Sequence, residues 1–183
     1  MKLYLSKLDS PLGEMLLVTD ASEQVRALNF GDRPARVHRV LRELYGAFEL
    51  IDAAAPATIA AALSRYFDGD LAALETIPVA TCGSDLQRQV WRALREIPAG
   101  RTTSYGELAR TRGFQDPRAA IDIGAANGAN PVALIVPCHR VIASGGDLKG
   151  YAWGLHRKRW LLEHEGALAK STGAMEAARL PGF

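Results

Sequence analysis

The sequence predicts an α+β fold in two parts, and three observations lead to this prediction. The first thirty residues alternate short apolar runs with turn-forming residues, which is typical of a β-meander. From about residue 33 the apolar residues recur at helical spacing instead. In the second half, Ser-x-x-Gln and Ser-x-x-Glu patterns at Ser84 and Ser104 mark the starts of two helices. A chain of 183 residues is long enough for one domain or two small ones.

The N-terminal part, residues 1–82, is predicted to be a small α+β scaffold domain. Its strands are expected at the runs LYLSKL, EMLLVT and QVRALNFG, with the segment DSPLG as a turn. Helices are expected over about residues 33–45 and 56–67, the second with Pro56 in its first turn. Residues 68–84 break the pattern and indicate a linker that contains a short strand.

Two short helices joined by a glycine-containing turn are predicted within residues 83–166, after a first capped helix. The Ser104 cap starts the earlier one, which is expected to end near Gly113. Asp116, with a proline after it, is expected to cap the later one, which reaches about residue 128. This is the spacing of a helix-turn-helix, which binds DNA in some proteins and serves only packing in many others.

Cys138 and His139 form the strongest candidate for a chemical site. A thiolate is a nucleophile, and an imidazole can take the proton that the thiol must lose. The pair follows the apolar run VALIV, which is predicted to be a buried strand, and precedes SGGDLKGYAWG, which is expected to form a hairpin over the cysteine. Adjacent side chains diverge, so a water is expected between the sulfur and the ring. A Cys-His pair taken at random is more often structural.

The last predicted helix spans the run LHRKRWLLEHEG, with Leu155, Leu161 and Leu162 facing inward beside a basic stretch. Glu165 near its end is either a solvated helix terminus or the carboxylate that orients His139. The tail after this domain, residues 167–183, has a composition that allows disorder.

Composition excludes several classes of protein. Apolar residues make up 48% of the chain and charged residues 23%, which is ordinary for a globular protein. No apolar run approaches the roughly 18 residues of a membrane span, and Lys7 and Asp9 lie where a secretory signal would be apolar. Two cysteines exclude a disulfide scaffold and indicate a reduced, cytoplasmic setting. The Cys and His spacings show no metal-binding pair, so neither a metal nor another cofactor is expected.

Several motifs of the second half are together similar to those of one protein family. They are PCHRV, GYAWG, WLLEHEG and the pattern LQ-x-x-VW-x-x-L-x-x-IP that starts at Leu86. In this combination they resemble the O6-alkylguanine-DNA alkyltransferases, the methylated-DNA–protein-cysteine methyltransferases of direct DNA repair. The likeness is strong over about residues 76–166 and rests on SPLGEMLLV in the N-terminal half. It implies a small ribonuclease-H-like α/β domain followed by a helix-turn-helix, winged-helix-like catalytic domain, as in the stand-alone bacterial form.

The resemblance implies a reaction that each molecule performs once. Cys138 would attack the alkyl carbon on O6 of a guanine and keep the alkyl group as a thioether, with O4-alkylthymine left open as a second substrate. His139 would take the thiol proton through a water, and Glu165 would hold the imidazole. Tyr105 would help to neutralise the departing guanine. A base inside a duplex cannot be reached, so the nucleotide must be flipped out.

The resemblance also implies that a monomer holds alkylated double-stranded DNA from the minor groove, through the second helix of the helix-turn-helix. Asn130 would brace the turn before the active-site loop. Backbone groups of Cys138 and Val141 would read the edge of the guanine. Further residues are expected to wall the base pocket or to contact DNA: Tyr151, Ala152, Trp153, Arg140, Arg118, Gly124, Ala126 and Asn127.

Ile121 is a departure from the family pattern. Members usually carry an arginine there, in a pattern like AARAVG, and this arginine fills the gap left by the flipped base. Here the stretch is AAIDIG, so Ile121 takes that position and Asp122 follows it. An isoleucine suits an apolar wedge of the kind used in minor grooves, and Arg118, on about the same helix face, is expected to supply charge. Duplex binding is expected to be weaker, or less dependent on a charged side chain, than in relatives with the arginine.

Two other functions stay open at the level of the sequence. A DNA-binding relative without transferase activity would sense lesions and recruit partners; Ile121 and Asp122 mildly favour this, whereas Cys138 with His139 favours the transferase. A Cys–His hydrolase would process many substrate molecules per protein, so turnover distinguishes it from a transferase that acts once.

Overall fold

In the computed structural model, which describes residues 1–113, 116 and 118–169, the chain begins with a four-stranded sheet. Its strands are β1 (Lys2–Leu8), β2 (Met15–Thr19), β3 (Val25–Phe30) and β4 (Glu49–Asp52). The first three form the predicted antiparallel meander. The sequence analysis missed β4, which pairs parallel with β1, so that the strand order is β3-β2-β1-β4. A four-residue run with charged ends is too short to show an alternating pattern.

Each face of this sheet is covered by one helix, and both helices lie where the sequence predicts them. α1 (Pro34–Tyr45) packs on one face through Val37 and Leu41, and α2 (Ala57–Phe67) packs on the other through residues that include Tyr66. Alternate residues of β2 join the two clusters, so this strand is buried on both sides. Its continuously apolar sequence, MLLVT, follows from that position.

The second half is mainly helical, with a short two-stranded parallel sheet. In chain order the remaining elements are a 3₁₀ helix (Ala73–Thr76), α3 (Asp85–Arg95), β5 (Thr103–Ser104), α4 (Tyr105–Thr111), α5 (Ala119–Gly128), a second 3₁₀ helix (Cys138–Arg140), β6 (Val141–Ile142) and α6 (Leu155–His164). α4 and α5 pack together as the predicted helix pair. Among the described residues no helix is long and apolar enough to cross a membrane.

The predicted capping box of α3 is confirmed: Ser84 Oγ accepts a hydrogen bond from the backbone of Gln87, whose side chain accepts one from the Ser84 backbone. The capping box predicted at Ser104 forms only in part. Ser104 Oγ caps α4 by accepting from the backbone of Glu107, but the Glu107 carboxylate accepts from Thr103 Oγ1 instead, at 3.0 Å.

The start of α5 differs from the prediction. Asp116 does accept a hydrogen bond from a backbone amide, that of Arg118 at 2.7 Å. This bond forms a turn before the helix, and α5 itself begins at Ala119. Pro117, predicted as its first helical residue, lies outside the described residues.

The predicted strand VALIV is wrong. Val132 makes one isolated bridge to Leu28 of β3, and the chain then turns, with a left-handed φ of 62° at Leu134. The physical reason is Asn130, whose side chain bonds the carbonyl oxygens of Val132 and Val136 at 3.1 and 2.8 Å. These bonds fold the segment back on itself, and a straight strand cannot satisfy them. An apolar run of this length marks burial without specifying a strand.

The predicted hairpin after the cysteine is also wrong. Residues 143–154 form an irregular loop, with a tight turn in which Ala143 donates to Asp147 at 3.1 Å. Gly146, Gly150 and Gly154 have φ values of 85°, 67° and 98°, which interrupt any regular strand in this stretch. We name residues 143–154 the glycine loop. In α6 Leu155 is 50% exposed rather than inward, because Arg157 and Lys158 take buried positions beside Leu161 and Leu162.

Candidate active site

Cys138 lies at the bottom of a cavity of about 340 Å³, between the two helices of the pair and the glycine loop. The sulfur-bearing side chain is buried, at the start of the second 3₁₀ helix. A volume of this size is within the range of small-molecule sites, roughly 300–1,000 Å³. The lining residues are Tyr105, Gly124, Asn127, Gly128, Cys138, Gly150, Tyr151 and Ala152.

The Cys138 thiol is neutral at pH 7 in the free protein. Burial raises its pKa to about 11, because a thiolate there would lose its hydration. The neighbouring Asn130 side chain and the positive charges of Lys158 and Arg36 oppose this shift without overcoming it. The thiol therefore needs a nearby base before it can act as a nucleophile.

His139 and Glu165 form a buried pair, with 2.9 Å between His139 Nε2 and Glu165 Oε1. The same oxygen accepts from Tyr66 Oη at 2.8 Å and from an Arg140 guanidinium nitrogen at 2.9 Å. The other oxygen accepts from Arg140 Nε at 2.9 Å. Burial opposes ionisation of Glu165, but the bonds from His139 and Arg140 outweigh it and hold its pKa well below the usual value.

The surroundings of Glu165 fix the tautomer of His139. An ionised carboxylate can only accept, so Nε2 of His139 must carry the hydrogen. Burial lowers the pKa of His139, and a neutral ring protonated on Nε2 leaves a lone pair on Nδ1. That nitrogen is buried and has no hydrogen-bond partner among the described residues. His139 is therefore a neutral base with its free nitrogen inside the protein.

Two further groups hold the backbone around the cysteine. Asn130 closes the turn before it with its two donor bonds and by accepting from the Val132 amide at 2.9 Å. Lys158 is fully buried and donates to the carbonyl oxygens of Val141, Lys149 and Gly150 at 2.7, 3.3 and 3.4 Å. Burial lowers its pKa to about 8. Lys158 thus ties the glycine loop to β6.

Two tyrosines line the cavity. Tyr105, at the start of α4, is half-buried, and burial, together with the nearby Cys138, raises its pKa, so that its phenol stays protonated and can donate. Tyr151 in the glycine loop is packed edge-on to His139, and its buried hydroxyl has no partner among the described residues. Gly124 faces Tyr105 across the cavity: a Cβ there would lie 3.8 Å from the tyrosine ring.

Three residues expected at the base pocket or the DNA lie elsewhere. Arg140 is buried behind the cysteine, where it pairs with Glu165 and donates to the carbonyl oxygen of Ile97. Ala126 is buried on the inner side of α5, and its carbonyl oxygen accepts from Trp91 Nε1 at 2.9 Å. A charged or small residue near a motif does not reveal which side of its element faces the core, and here both residues are buried.

Trp153 is the third of these residues. It is 1% exposed and lies outside the cavity wall, with its Nε1 donating to Asn29 Oδ1 of β3 at 2.8 Å. The Arg36 guanidinium of α1 lies over its ring, 5.1 Å from the centroid. A buried indole N–H needs an acceptor, and here the acceptor comes from the N-terminal sheet. Trp153 therefore anchors the glycine loop to that sheet.

The outer face of α5 carries the residues predicted to meet DNA. Ile121 is 72% exposed, and Arg118 and Asp122 are exposed on either side of it along the chain. Asn127, further along α5, is buried and lines the cavity. One helix therefore presents an apolar side chain to solvent and a polar one to the cysteine cavity.

Sequence reasoning missed two residues that the N-terminal half contributes. Tyr66 donates to Glu165, as described above, and Arg36 Nη2 lies 3.3 and 3.4 Å from the carbonyl oxygens of Gly128 and Asn130. Neither belongs to a motif, and each acts across about a hundred residues of sequence, so no local pattern could have identified them. A group of three or more side chains able to hold a metal ion is absent from the described part of the chain.

Comparisons with known proteins identify one family. The family model described as "6-O-methylguanine DNA methyltransferase, DNA binding domain" matches residues 85–167. The one described as "6-O-methylguanine DNA methyltransferase, ribonuclease-like domain" matches residues 3–81.

Curated relatives and solved structures cover nearly the whole chain. The methylated-DNA–protein-cysteine methyltransferase of Salmonella typhimurium is 43% identical over 92% of this chain and 98% of its own. That of Methanosarcina acetivorans is 38% identical over 90% of this chain and 99% of its own. The crystal structure of Mycobacterium tuberculosis OGT in complex with DNA superposes with a TM-score of 0.74 at 36% identity, covering 90% of this chain and 93% of that one.

Proposed function

The chain belongs to the 6-O-methylguanine DNA methyltransferase family, and from this we propose that it repairs DNA by moving the alkyl group from O6 of a guanine to Sγ of Cys138. Cys138 is proposed as the acceptor of the alkyl group because His139, a neutral base, follows it in the chain. His139 has its free nitrogen inside the protein, and Glu165 holds its other nitrogen at 2.9 Å. The cavity of about 340 Å³ beside the thiol is suited to a single base rather than to a whole duplex.

The proposed chemistry balances without a cofactor. His139 Nδ1 takes the proton of the Cys138 thiol through a water, and Glu165 stabilises the imidazolium that forms. The thiolate attacks the alkyl carbon, so a C–S bond forms while the C–O bond to the guanine breaks. The electron pair of that bond stays on the guanine, and Tyr105 stabilises the developing negative charge by donating a hydrogen bond. The thioether is stable, so each molecule acts once.

DNA is the proposed partner, since the relative from M. tuberculosis was crystallised with it. We place α5 in the minor groove, with the protein acting as a monomer. We assign Ile121, which is 72% exposed, to the space left by a flipped base, and the exposed Arg118 to a contact with the DNA backbone. Gly124 and Asn127 of the same helix line the cavity, so a flipped nucleotide passes α5 to reach Cys138.

The direct test compares the two cysteines of the chain. Wild type and Cys82→Ala, which changes an exposed cysteine, should each gain the mass of one methyl group after incubation with a duplex that contains O6-methylguanine. Cys138→Ala should gain none. The measurement is intact-protein mass spectrometry together with peptide mapping.

Other outcomes identify the alternative functions. Tight duplex binding by wild type without a gain in mass would favour a lesion sensor. Release of many product molecules per protein would favour a hydrolase. Either result, or methylation of Cys82 alone, contradicts the proposal.

A further inference from the structure

We propose that Tyr66, in the N-terminal half of the chain, is a positioning residue for the reaction at Cys138, and that it acts through Glu165. The proposal rests on the alkyl transfer proposed above and deepens it, because it gives the N-terminal half a part in the chemistry. Tyr66 lies on α2, and 99 residues of sequence separate it from Glu165.

The geometry puts the Tyr66 hydroxyl and the His139 ring on the same oxygen atom. Tyr66 Oη donates to Glu165 Oε1 at 2.8 Å, and His139 Nε2 reaches that oxygen at 2.9 Å. Tyr66 is 0% exposed and Glu165 is 4% exposed, so water does not compete for these bonds. The direction in which this oxygen points therefore sets the orientation of the imidazole, as in other sites where a carboxylate orients a histidine.

The Tyr66 hydroxyl can act only as a donor here. Burial, together with the negative charge of Glu165, raises its pKa far above the usual value, so the proton stays on the phenol. Arg140 bonds both carboxylate oxygens, which leaves Tyr66 as the neutral group that fixes the rotation of Oε1 toward His139. Without the hydroxyl, that oxygen keeps two donors instead of three.

Contacts with His164, at the end of α6, hold Tyr66 in place. Its backbone carbonyl oxygen lies 2.8 Å from His164 Nε2, and its ring packs edge-on to the rings of His164 and Phe67, with centroids 5.2 and 5.3 Å apart. A phenylalanine would keep these ring and backbone contacts. Tyr66→Phe therefore removes the hydroxyl and leaves the packing, which separates positioning from a purely structural role.

The substitution also predicts a shift in the pH dependence. The charged and titratable groups that face His139 are Lys158 of α6 and Glu165 just after it, Arg140 and Cys138 of its own 3₁₀ helix, Tyr151 of the glycine loop and, through Glu165, Tyr66 of α2. Tyr66→Phe changes none of the formal charges among them. It leaves more of the Glu165 charge to act on the imidazole, so the imidazolium is favoured and the pKa of His139 rises.

The experiment measures the single-turnover rate of methyl transfer from a duplex containing O6-methylguanine, from about pH 5 to about pH 9, for wild type, Tyr66→Phe and Tyr45→Phe. Tyr45 is the matched control, because its hydroxyl lies 3.5 and 3.3 Å from the main-chain oxygens of Arg26 and Ala80 and makes no contact with His139 or Glu165 among the described residues. We expect Tyr66→Phe to slow transfer by about tenfold and to move the acid limb of the rate to higher pH. Duplex affinity and the behaviour of Tyr45→Phe should match wild type.

A double substitution tests whether Tyr66 acts through Glu165. In a Glu165→Gln background, the further change Tyr66→Phe should have no effect on the rate, whereas independent sites would multiply their fold-changes. The inference is overturned by an unchanged rate and acid limb in Tyr66→Phe, by a slowing without any shift of that limb, or by multiplicative effects in the double variant. Failure of the proposed function looks different, because wild type itself would then gain no methyl group.

Discussion

At the scale of single residues, adjacency in sequence explains only part of the site. Cys138 and His139 are neighbours in the chain, but the contact that fixes the imidazole comes from Glu165, 26 residues later. Nδ1 of His139 is left free only because Nε2 is engaged. The raised pKa of Cys138 and the lowered pKa of His139 leave both groups neutral near pH 7, so the proposed reaction must begin with the removal of a proton from the sulfur.

The role of general base proposed for His139 predicts how the rate of methyl transfer depends on pH. Burial lowers its pKa below the ordinary 6.5, so the ring is neutral near pH 7, and the rate of wild type should fall only as the pH drops below that lowered pKa. His139→Ala should slow methyl transfer about a hundredfold or more and should lose this acid limb. His38→Ala, at an exposed histidine of α1, is the control. Rates are measured by quenched single-turnover assays; an unchanged pH profile in His139→Ala would mean that another group is the base.

At the scale of elements, α5 has a buried inner side and an exposed outer side of different composition. Its inner side is made of small or apolar residues, such as Ala119, Ile123 and Ala126, which let it pack closely on its neighbours. Its outer side exposes Ile121 and Asp122. The small residues of α5 allow a close approach of the proposed DNA partner, but the helix itself carries no basic side chain.

This composition predicts that a new arginine on α5 strengthens binding. Ile121→Arg should raise the affinity for a methylated duplex by about tenfold to a hundredfold, because a charge-assisted contact to DNA contributes roughly 1.5–3 kcal/mol. Ala61→Arg adds the same charge at an exposed position of α2 and should change affinity little. Fluorescence anisotropy at fixed salt measures both. Equal affinities and repair rates for Ile121→Arg and wild type would contradict the placement of Ile121 in the gap left by the flipped base.

At the scale of the whole molecule, the N-terminal half supports the site from behind. One apolar cluster runs from the sheet, through Leu28, to Trp91, Cys138 and Leu161 of the second half. The backbone continues this contact, since the amide of Leu28 donates to the carbonyl oxygen of Pro131 at 3.1 Å. With a shared core of this kind, the two halves are expected to unfold in one cooperative transition.

The buried charges around Glu165 predict how stability depends on pH. The pKa of Glu165 is held well below its ordinary 4.5, so its contribution to stability is present above about pH 4.5 and is lost as the pH falls below that. Glu165→Gln leaves the Arg140 guanidinium buried without a charged partner and should lower the free energy of unfolding at pH 7 by about 3 kcal/mol or more.

The control for this prediction is Glu96→Gln, which removes an exposed ion pair with Arg112 and should change stability little. Urea unfolding at pH 7 and near pH 4 gives both free energies. The stability difference between wild type and Glu165→Gln should shrink at the lower pH. A difference that is small at pH 7, or that grows in acid, would contradict the ionised state assigned to Glu165.

The sequence by itself determined what depends on near neighbours. The meander, α1 and α2 follow from apolar spacing, and the Ser84 cap follows from two side chains three residues apart. The nucleophile and its candidate base were visible because they adjoin in one motif, and the family likeness singled out Glu165. These features are encoded within a few residues of each other, so a local pattern is enough to reveal them.

Only the tertiary structure decided which groups meet across the chain. Tyr66 and Arg36 reach the site from the N-terminal half, Arg140 and Trp153 turn away from the cavity, and the run before Cys138 folds back instead of extending. The physical reason is that a buried donor or acceptor must find a partner wherever packing places one, and that partner can be about a hundred residues away. Local spacing shows which residues are buried, whereas their partners depend on the completed fold.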